Sequence, residues 1–379
     1  MQIDAPWLTD DASQAVCRML TDAGHQVYFV GGCVRNALLG APVSDLDVST
    51  DARPEDVLTL ADAAGLKAIP TGIDHGTVTV VADGKPFEIT TFRRDVETDG
   101  RRAVVAFSTD MADDARRRDF TMNALYAAPD GTVLDPVGQG LDDLAARKVR
   151  FIDDADMRIK EDYLRILRFF RFHAWYGNTD AGIDAEALAA CADNVEGIVT
   201  LSRERIGQEM VKLLSAPDPA PALASFAACG GLMQALPGAG AGALAPLVHL
   251  EQAIELAPDP MLRLAAIGGQ DAADALRLSK AQTRQLAIYQ DFTPPQVTAY
   301  RHGAQIGRGM LALQNAVAGQ EIAPDAVVAV EAAAGQVMPV TAQDFMPKLQ
   351  GAALGAALAD AEDRWIASGF TLTKDQLIG

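Results

Sequence analysis

The sequence predicts an α+β fold in which a small mixed sheet forms an N-terminal head and an all-α body follows. Two observations carry this prediction. Short apolar runs rich in β-branched residues, separated by glycine-containing turns, occupy roughly residues 25–135. From about Asp153 onward the pattern is helical, and Ala-rich segments separated by Pro and Gly continue to the last residue. We expect three parts: a head over 1–140, a helical neck over 141–215, and a helical body with its tail over 216–379.

The head contains four predicted strands. The run VYFVGGCV (27–34) predicts a strand, a glycine turn and the start of a helix, and DLDV (45–48) predicts the next strand. The segments GTVTVVA (76–82) and PFEITTF (86–92), separated by DGK, predict a β-hairpin. The polar stretch 90–107, centred on an Asp-Gly turn, predicts a mobile loop.

The composition predicts a soluble cytoplasmic protein with a sizeable core. Of the 379 residues, 49% are hydrophobic, which is enough for two or more packed units. We find neither a secretory leader nor an apolar run of 18 residues, so no membrane partner is expected. Because the cysteines are far apart, they favour neither a zinc ribbon nor a disulfide framework (Cys17, Cys33, Cys191 and Cys229).

The net charge of −19 argues against binding nucleic acid through overall electrostatic attraction. The basic residues are unevenly distributed, however, because only nine of the 32 Lys and Arg residues lie beyond Ser215. The basic clusters therefore coincide with the motifs of the head and neck.

The segment GGCVRNALLG (31–40) is suited to holding a phosphate group. Gly31 and Gly32 follow a predicted strand and allow the backbone to approach a ligand, while the amides that open the next helix can bind phosphate oxygens. Arg35 can add a cationic fork for a triphosphate.

The segment SDLDV (44–48) supplies carboxylates for divalent metal ions. On a strand, Asp45 and Asp47 would point to the same face and converge on Mg²⁺. Two such ions, about 3.5 to 4 Å apart, can activate an attacking hydroxyl and neutralise a leaving pyrophosphate. Glu88 on the predicted hairpin is the candidate third carboxylate.

The segment DDARRRDFTMNALY (113–126) combines arginines with side chains that can recognise a ribose. An Arg presents a rigid fork of donors to phosphate, and Asp and Asn can hydrogen-bond a ribose hydroxyl. Taken alone, a run of three arginines is more typical of a solvated surface.

The segment EDYLRILRFFRF (161–172) predicts an amphipathic helix. It would place Asp162 and Arg165 on one face, with Arg168 a turn further. Apolar side chains would face the core (Leu164, Leu167 and Phe170). Without further context, an ordinary helix with a Glu161–Arg165 pair is the favoured interpretation.

Together these motifs resemble those of the class II tRNA nucleotidyltransferases and bacterial poly(A) polymerases, a branch of the polymerase-beta-like superfamily. The family's motifs read approximately GGxVRDxLLG with a downstream DxD, RRDFTxNAL, and EDxLRxLRxxR. The resemblance is firmest over 25–215 and includes a further helix, LSRERIGQEMVKLL (201–214). Asn36 stands where the family usually has Asp.

The resemblance implies a polymerase-beta-like nucleotidyltransferase head and template-independent addition of CMP, CMP and AMP to the 3′ end of tRNA, with release of pyrophosphate. It implies Mg²⁺ as cofactor and tRNA, ATP and CTP as partners, with no DNA expected. Asp45, Asp47 and Glu88 are the implied catalytic residues, and the first two also bind metal. The implied nucleotide-binding residues are Gly31, Gly32, Arg35, Arg117, Arg118, Asp119, Asn123, Asp162, Arg165 and Arg168.

The third motif is implied to choose the base. Cytosine and adenine both present an amine donor beside a ring-nitrogen acceptor, which Asp162 and Arg165 complement. Uracil and guanine present the opposite order and would leave buried polar groups unpaired. In the next helix, Glu204 and Arg205 would brace these residues. The segment 90–107 is implied to reshape the site between C and A addition.

Two alternatives remain within the resemblance: a poly(A) polymerase, and a non-catalytic RNA-binding protein of the same fold. Poly(A) polymerases usually carry a G[RK][RK]F element after the DxD and a strongly basic C-terminal extension. Here the corresponding region reads IPTGIDHGTVTV (69–80), and the C-terminal third is acidic. Both features favour CCA addition.

Overall fold

The computed structural model describes residues 1–99 and 102–379, which divide into two compact units. The first unit contains Met1–Leu213 and Pro221–Ala235, and the second contains Leu214–Ala220 and Leu236–Gly379. The first of these boundaries lies close to the predicted limit at residue 215. The head and neck fall in one unit, and their division at residue 140 stays a prediction.

The strands of the described residues form a seven-stranded mixed sheet and a separate two-stranded hairpin. The order in the large sheet is β3-β4-β5-β2-β1-β8-β9, and every neighbouring pair is antiparallel except β2 with β5. The strands are β1 (Val27–Val30), β2 (Asp47–Thr50), β3 (Lys67–Gly72), β4 (Thr77–Ala82), β5 (Lys85–Thr91), β6 (Arg93–Asp99), β7 (Arg102–Phe107), β8 (Tyr126–Ala127) and β9 (Val133–Leu134).

The predicted hairpin over residues 76–92 is confirmed. Strands β4 and β5 pair from Thr77 opposite Thr90 to Ala82 opposite Lys85. The connecting Asp83 and Gly84 both have positive φ, 49° and 74°. Asp-Gly suits this two-residue turn because both central positions require that conformation.

The prediction of a loop over 90–107 is wrong where the backbone is described, because β6 and β7 form an antiparallel hairpin from Arg93 opposite Phe107 to Asp99 opposite Arg102. The second half, RAVVAF, is rich in residues that favour strands, and this preference outweighs the polar character of the first half. The predicted Asp-Gly turn includes Gly100, which lies outside the described residues. The role of this segment between C and A addition stays a prediction.

The helical part begins at Ala155, close to the predicted start. Across residues 1–99 and 102–379, every helix is too short or too polar to span a bilayer. The α-helices are α1 (Pro6–Thr9), α2 (Asp11–Thr21), α3 (Gly32–Leu38), α4 (Pro54–Ala63), α5 (Met111–Arg116), α6 (Gly140–Ala145), α7 (Ala155–Glu161), α8 (Leu164–Tyr176), α9 (Ala185–Asp193), α10 (Arg203–Leu214), α11 (Ala220–Ala228), α12 (Gly231–Ala235), α13 (Leu244–Ala253), α14 (Pro260–Ile267), α15 (Ala272–Ala275), α16 (Lys280–Gln290), α17 (Pro295–His302), α18 (Ala304–Ala318), α19 (Pro324–Ala334), α20 (Ala342–Phe345), α21 (Gly351–Ala367) and α22 (Lys374–Ile378). Short 3₁₀ segments occur at Ile73–His75, Thr121–Asn123 and Val195–Thr200.

Aromatic packing fixes α8 in the first unit. The ring of Phe120 lies 5.0 Å from those of Phe151 and Phe172, and Phe151 stacks on Phe169 at 5.5 Å. Such ring pairs add to the stabilisation from buried apolar area. The three residues predicted to face the core are all buried (Leu164, Leu167 and Phe170). The helix is therefore held against the segment that follows the arginine run.

The second unit contains a buried ion pair. The Nη2 atom of Arg263 lies 2.7 Å from a carboxylate oxygen of Glu251, and both side chains are almost fully buried. Arg263 also donates to the carbonyl oxygens of Leu214 and Ala216. These bonds join the short segment 214–220 to α13 and α14 within this unit.

We expect Glu251→Gln to lower the free energy of unfolding by about 3 kcal/mol, because it leaves the Arg263 charge buried without a counter-ion. Urea unfolding of the full chain followed by circular dichroism measures this change. The matched control is Asp274→Asn, whose partner Arg277 and own side chain are exposed, and it should unfold close to the wild type. Equal effects of the two substitutions would contradict the stabilising role of the buried pair.

Candidate active site

One edge of the large sheet brings the first motif together. Strand β1 runs antiparallel to β2, with Phe29 opposite Val48, so the turn after β1 lies beside the start of β2. Strand β2 runs parallel to β5, and Asp47 is directly opposite Glu88. Gly31 has φ +72° and precedes α3, as the predicted strand, glycine turn and helix require. The sequence-predicted third carboxylate is thus a register neighbour of Asp47.

Asp45 does not lie on the strand. This corrects the prediction that Asp45 and Asp47 lie on one strand and point to the same face. Strand β2 begins at Asp47, and Asp45 is exposed in the preceding loop, where its carboxylate accepts a 2.8 Å bond from Ser44 Oγ. Pairing with β5 begins at Asp47, opposite Glu88, so Asp45 lies before the first paired residue of the strand. Asp45 nevertheless lies close enough to Asp47 to influence its titration.

Negative charge is concentrated at this edge. Burial, together with the charges of Glu88 and Asp45, raises the pKa of the Asp47 carboxyl, and the guanidinium of Arg118 opposes this rise. Within residues 1–99 and 102–379, no three acidic, His or Cys side chains already converge on a common metal position. The carboxylates could therefore supply only part of a metal's ligands.

A cavity of about 400 Å³ opens beside this edge. It contains every sequence-predicted nucleotide-binding residue and also Asp47, whereas Asp45 and Glu88 are absent from its lining. Phe172 is its additional member. The lining residues are Gly31, Gly32, Arg35, Asp47, Arg117, Arg118, Asp119, Asn123, Asp162, Arg165, Arg168 and Phe172.

Asp119 and Asn123 form one hydrogen-bonded unit in the cavity wall. Asn123 Nδ2 donates to Asp119 Oδ1 at 2.9 Å, and Arg168 donates from Nε to Asp119 Oδ2 at 2.7 Å. Burial alone would raise the pKa of Asp119, but Arg168, Asn123 and the Phe120 amide hold it well below its usual range. Asp119 is therefore an ionised acceptor whose orientation is fixed.

Arg35 is bonded mainly to other protein side chains. Only 6% of it is exposed, and it donates to the side-chain oxygens of Asn123, Asn36 and Tyr176. Its guanidinium carbon lies 4.0 Å from the centre of the Tyr176 ring and 5.1 Å from that of Phe172. These contacts fix Arg35 in the cavity wall, and a direct bond to triphosphate stays a prediction.

Asn36 has a defined function in the fold. Its side-chain oxygen accepts from Arg35, and its Nδ2 donates to the carbonyl oxygen of Pro42 at 2.8 Å. A carboxylate cannot donate. The Asn therefore bonds the loop before β2, which an Asp at this position could not do in its ionised form.

Two arginines share one buried carboxylate. Arg117 Nε donates to Asp114 Oδ1 at 2.7 Å, and Arg118 Nη2 donates to Asp114 Oδ2 at 3.0 Å. The hydroxyl of Tyr126 donates to the same Oδ2 at 2.6 Å. Asp114 and Tyr126 were not among the predicted site residues, because neither lies at an expected ligand position.

Asp162 and Arg165 both line the cavity but do not lie on one helix, which corrects the prediction for this motif. Helix α7 ends at Glu161 and α8 begins at Leu164, while Asp162 has extended backbone angles of φ −157° and ψ 105°. Its Oδ1 accepts from the Leu164 amide at 3.1 Å, as an N-terminal capping residue does. The expected Glu161–Arg165 ion pair is present across this break.

Helix α10 supports these residues. Arg205 Nη2 lies 2.6 Å from Asp162 Oδ2, as expected for a brace. Glu209 was missed: its carboxylate lies 2.6 Å from Arg171 and 3.8 Å from Arg168. It stands one helical turn after Arg205, so the helical period within 201–214 is a signal that could have found it. The bracing role of Glu204 stays a prediction.

Two family models match parts of the chain that contain residues of this site or lie next to it in sequence. The family model "Poly A polymerase head domain" matches residues 27–150, and "Probable RNA and SrmB- binding site of polymerase A" matches residues 182–241. The first match contains the sheet edge and the arginine run. The second covers α9 to α12.

Named relatives carry a consistent description. The chain is 40% identical over 208 residues to the human mitochondrial CCA tRNA nucleotidyltransferase 1, covering 55% of this chain and 48% of the relative. It is 40% identical over 225 residues to the CCA-adding enzyme of Geobacillus thermodenitrificans, covering 59% of this chain and 54% of the relative. The matched part thus spans about half the length of these curated relatives.

A solved structure matches over nearly the whole length. The Bacillus stearothermophilus CCA-adding enzyme in complex with CTP aligns with a TM-score of 0.70 and 26% identity, over 99% of this chain and 96% of the other. The Thermotoga maritima CCA-adding enzyme complexed with tRNA aligns with a TM-score of 0.68 and 16% identity, over 100% and 98%, which shows a shared fold.

The ionised Asp119 makes stability depend on pH. Because its pKa is lower in the folded chain than the ordinary value of about 3.9, its stabilisation is complete above that pH and declines as pH falls below it. We expect Asp119→Asn to lower the free energy of unfolding by about 2 kcal/mol at neutral pH. The difference from wild type should narrow toward about pH 3, as measured by urea unfolding.

The control for this experiment is Asp153→Asn. Asp153 pairs with Arg116 at 3.1 Å, but the two side chains are 51% and 62% exposed. It should change stability little at any of these pH values. A difference between Asp119→Asn and wild type that stays constant with pH would refute the assignment of an ionised Asp119.

Proposed function

We propose that this chain is a member of the tRNA nucleotidyltransferase and poly(A) polymerase family and that it adds CMP, CMP and AMP in succession to the 3′ end of tRNA, which its matches to the family models and to CCA-adding relatives support. In each step the 3′ hydroxyl oxygen bonds to the α-phosphorus of CTP or ATP, and pyrophosphate leaves. The observation that carries the proposal is that Asp47, two residues of the arginine run (Arg117 and Arg118) and the Asp162–Arg165 motif line the same cavity. A template strand is unnecessary if protein side chains choose the base.

Asp47 and Glu88 are the residues that would hold a divalent cation, with Asp45 close by. Burial and, to a smaller extent, the charges of Glu88 and Asp45 raise the pKa of Asp47, and a cation bound there would offset both effects. Mg²⁺ usually binds one or two carboxylates and completes its shell with water and substrate phosphates, which agrees with a partial ligand set. When bound, such ions polarise the phosphate and lower the pKa of the attacking hydroxyl.

The chain's own residues orient the nucleotide. Arg117 and Arg118 lie in the cavity beside the Gly31 turn, where their positive charge suits the phosphate chain. Asp119 and Asn123 present a fixed acceptor and amide for the ribose hydroxyls. These groups would hold the α-phosphate near Asp47, which lines the same cavity.

Base choice is assigned to Asp162 and Arg165. Both line the cavity, and both are held: Asp162 by Arg205, and Arg165 by Glu161. A carboxylate acceptor beside a guanidinium donor matches the amine and ring nitrogen of cytosine and adenine. Because the two side chains are fixed, a base with the reverse pattern leaves donors and acceptors unpaired.

The RNA partner is tRNA, as the names of the relatives indicate. The Thermotoga maritima enzyme of the same fold was solved with tRNA. A helical body that accepts every tRNA must read shape and phosphate positions and not sequence. A cytoplasmic site of action is part of the proposal, and the location of a tagged chain in cells tests it.

The first test is incorporation of labelled CTP and ATP, with Mg²⁺, into tRNA that lacks its last three residues. The wild type should add two C and one A and then stop. Asp47→Asn should lower the rate at least about 100-fold, because it removes charge where the reacting groups meet. The control Asp51→Asn alters a carboxylate just past the far end of β2, which accepts from Gln26, and should keep the wild-type product pattern.

Other products would assign another activity. Long tails from ATP alone would indicate a poly(A) polymerase, and two C without A would indicate a CC-adding enzyme. A folded chain that binds tRNA and incorporates nothing would indicate a non-catalytic RNA-binding protein. Each of these outcomes contradicts the proposed CCA addition.

The second test concerns base choice. Asp162→Ala should reduce the preference for CTP over UTP about tenfold or more, because one mismatched buried group costs about 1 to 3 kcal/mol. The measurement is kcat/KM for each nucleotide with the same tRNA. Asp156→Asn, on the exposed side of α7 beside Lys160, is the control and should retain the wild-type ratio. An unchanged ratio in Asp162→Ala would remove this motif from base recognition.

A further inference from the structure

A fully buried aspartate lies next to the cavity without lining it. Asp114 is 0% exposed, yet both of its oxygens are directed at cavity arginines. Oδ1 accepts from Arg117 Nε, and Oδ2 accepts from Arg118 Nη2 and from the Tyr126 hydroxyl. Ser49 Oγ adds a fourth contact at 3.3 Å. One carboxylate therefore fixes two guanidinium groups.

The Arg118 guanidinium is held on one side and open on the other. Its Nε donates to the Tyr126 oxygen at 3.3 Å, and the ring of Tyr126 lies 5.5 Å from its central carbon. Its Nη1 lies 3.3 Å from the point that a Cβ on Gly31 would occupy. Among residues 1–99 and 102–379, no acceptor is bonded to this Nη1.

Arg117 shows the same division. Its Nε is bonded to Asp114, and within the described part of the chain its two terminal nitrogens have no protein acceptor. Asp114 binds Arg117 through Nε and Arg118 through Nη2. The other terminal N–H groups of the two arginines are therefore available to a ligand. Two neighbouring guanidinium groups repel each other, and the shared carboxylate offsets this repulsion.

We infer that Asp114, with Tyr126, is a positioning residue for the phosphate chain of the nucleotide, because it holds Arg117 and Arg118 with their free N–H groups facing the cavity. This inference rests on the proposed function and names the part of the substrate that these residues recognise. Fixing the two arginines before the ligand arrives avoids ordering two long side chains during binding.

The lowered pKa of the buried Asp114 carboxyl agrees with this arrangement. Burial alone would raise the pKa of Asp114, but Arg118 and Arg117 hold it well below its usual range. Asp114 is therefore a permanent negative charge at any pH at which the enzyme is assayed. The pair of arginines keeps a net positive charge for an incoming phosphate group.

A simpler explanation is that Asp114 only stabilises the fold. The effect of its substitution on the binding of ligands with different numbers of phosphates separates this stabilising role from the positioning role. If Asp114 only stabilises the fold, its loss lowers the amount of active protein without changing selectivity among ligands. If it positions the arginines, its loss weakens ligands in proportion to their phosphates. CTP, CMP and inorganic pyrophosphate are suitable probes, because the first and last carry the phosphates that CMP lacks.

The experiment measures binding of these three ligands to the full chain by isothermal titration calorimetry, with Mg²⁺ and without tRNA. Asp114→Asn should weaken the binding of CTP and pyrophosphate at least tenfold and the binding of CMP less than threefold. In a separate incorporation assay, KM for tRNA should not change. Tyr126→Phe should shift the same ligands in the same direction by a smaller factor. It removes one hydroxyl and keeps the ring, so it tests the inference even if Asp114→Asn does not fold.

The matched control is Asp143→Asn. Asp143 is also a buried aspartate, with its carboxylate bonded to Thr121 Oγ1 at 2.7 Å and to Arg150 at 3.1 Å, but it does not line the cavity. It should lose stability and bind all three ligands as the wild type does. Equal loss of CTP and CMP affinity in Asp114→Asn, or a CTP-specific loss in Asp143→Asn, overturns the inference.

The outcomes also separate this inference from the proposed function. If the wild type binds pyrophosphate and CTP but adds nothing to tRNA, the proposed function fails and the phosphate test still decides the role of Asp114. If the wild type builds the CCA end while both variants keep wild-type affinity for CTP and pyrophosphate, the inference fails alone. A folded wild type that binds none of the probes contradicts both.

Discussion

The ion pair between Asp119 and Arg168 is the contact on which the arrangement of the site depends. Asp119 directly follows the arginine run, whereas Arg168 lies on α8, so this pair fixes the helix relative to the sheet edge. The same carboxylate accepts from Asn123 and from the amide of Phe120. One buried group thus orients the residues assigned to the ribose and the helix that follows Asp162. Removing Arg168 would leave the buried Asp119 carboxylate without its counter-ion.

Positive charge is concentrated locally in an acidic chain. The whole protein carries a net charge of −19, yet the cavity beside the sheet edge is lined by five arginines and by three aspartates. At physiological ionic strength, charges separated by more than about 8 Å are largely screened, so the local set decides the interaction. Buried acids orient several of these arginines, as Asp114 does for Arg118 and Glu209 for Arg168. The remaining acidic surface disfavours non-specific binding of RNA.

The corrections share one physical origin, which is that local hydrogen bonds and strand pairing overrode the simplest sequence pattern. Asp45 was expected on a strand, but the strand pairing begins only at Asp47, opposite Glu88. Asp162 was expected within a helix, but its carboxylate caps α8, and its backbone is extended. The polar segment 93–107 was expected as a loop, but its described backbone pairs as a hairpin. In each case the chemistry of the residue was recognised and its backbone setting was not.

The sequence by itself indicated the nucleotide-binding candidates that line the cavity, the glycine turn before α3 and the helical character of the chain beyond about residue 153. These features depend on local periodicity and on conformations that only particular residues adopt. The tertiary structure alone decided that Glu88 lies beside Asp47, through the parallel pairing of β2 with β5. It also decided that Asp114 and Glu209 hold the cavity arginines. Such partners are set by strand register and burial, and these arise from contacts between segments far apart in the chain, which no local pattern specifies.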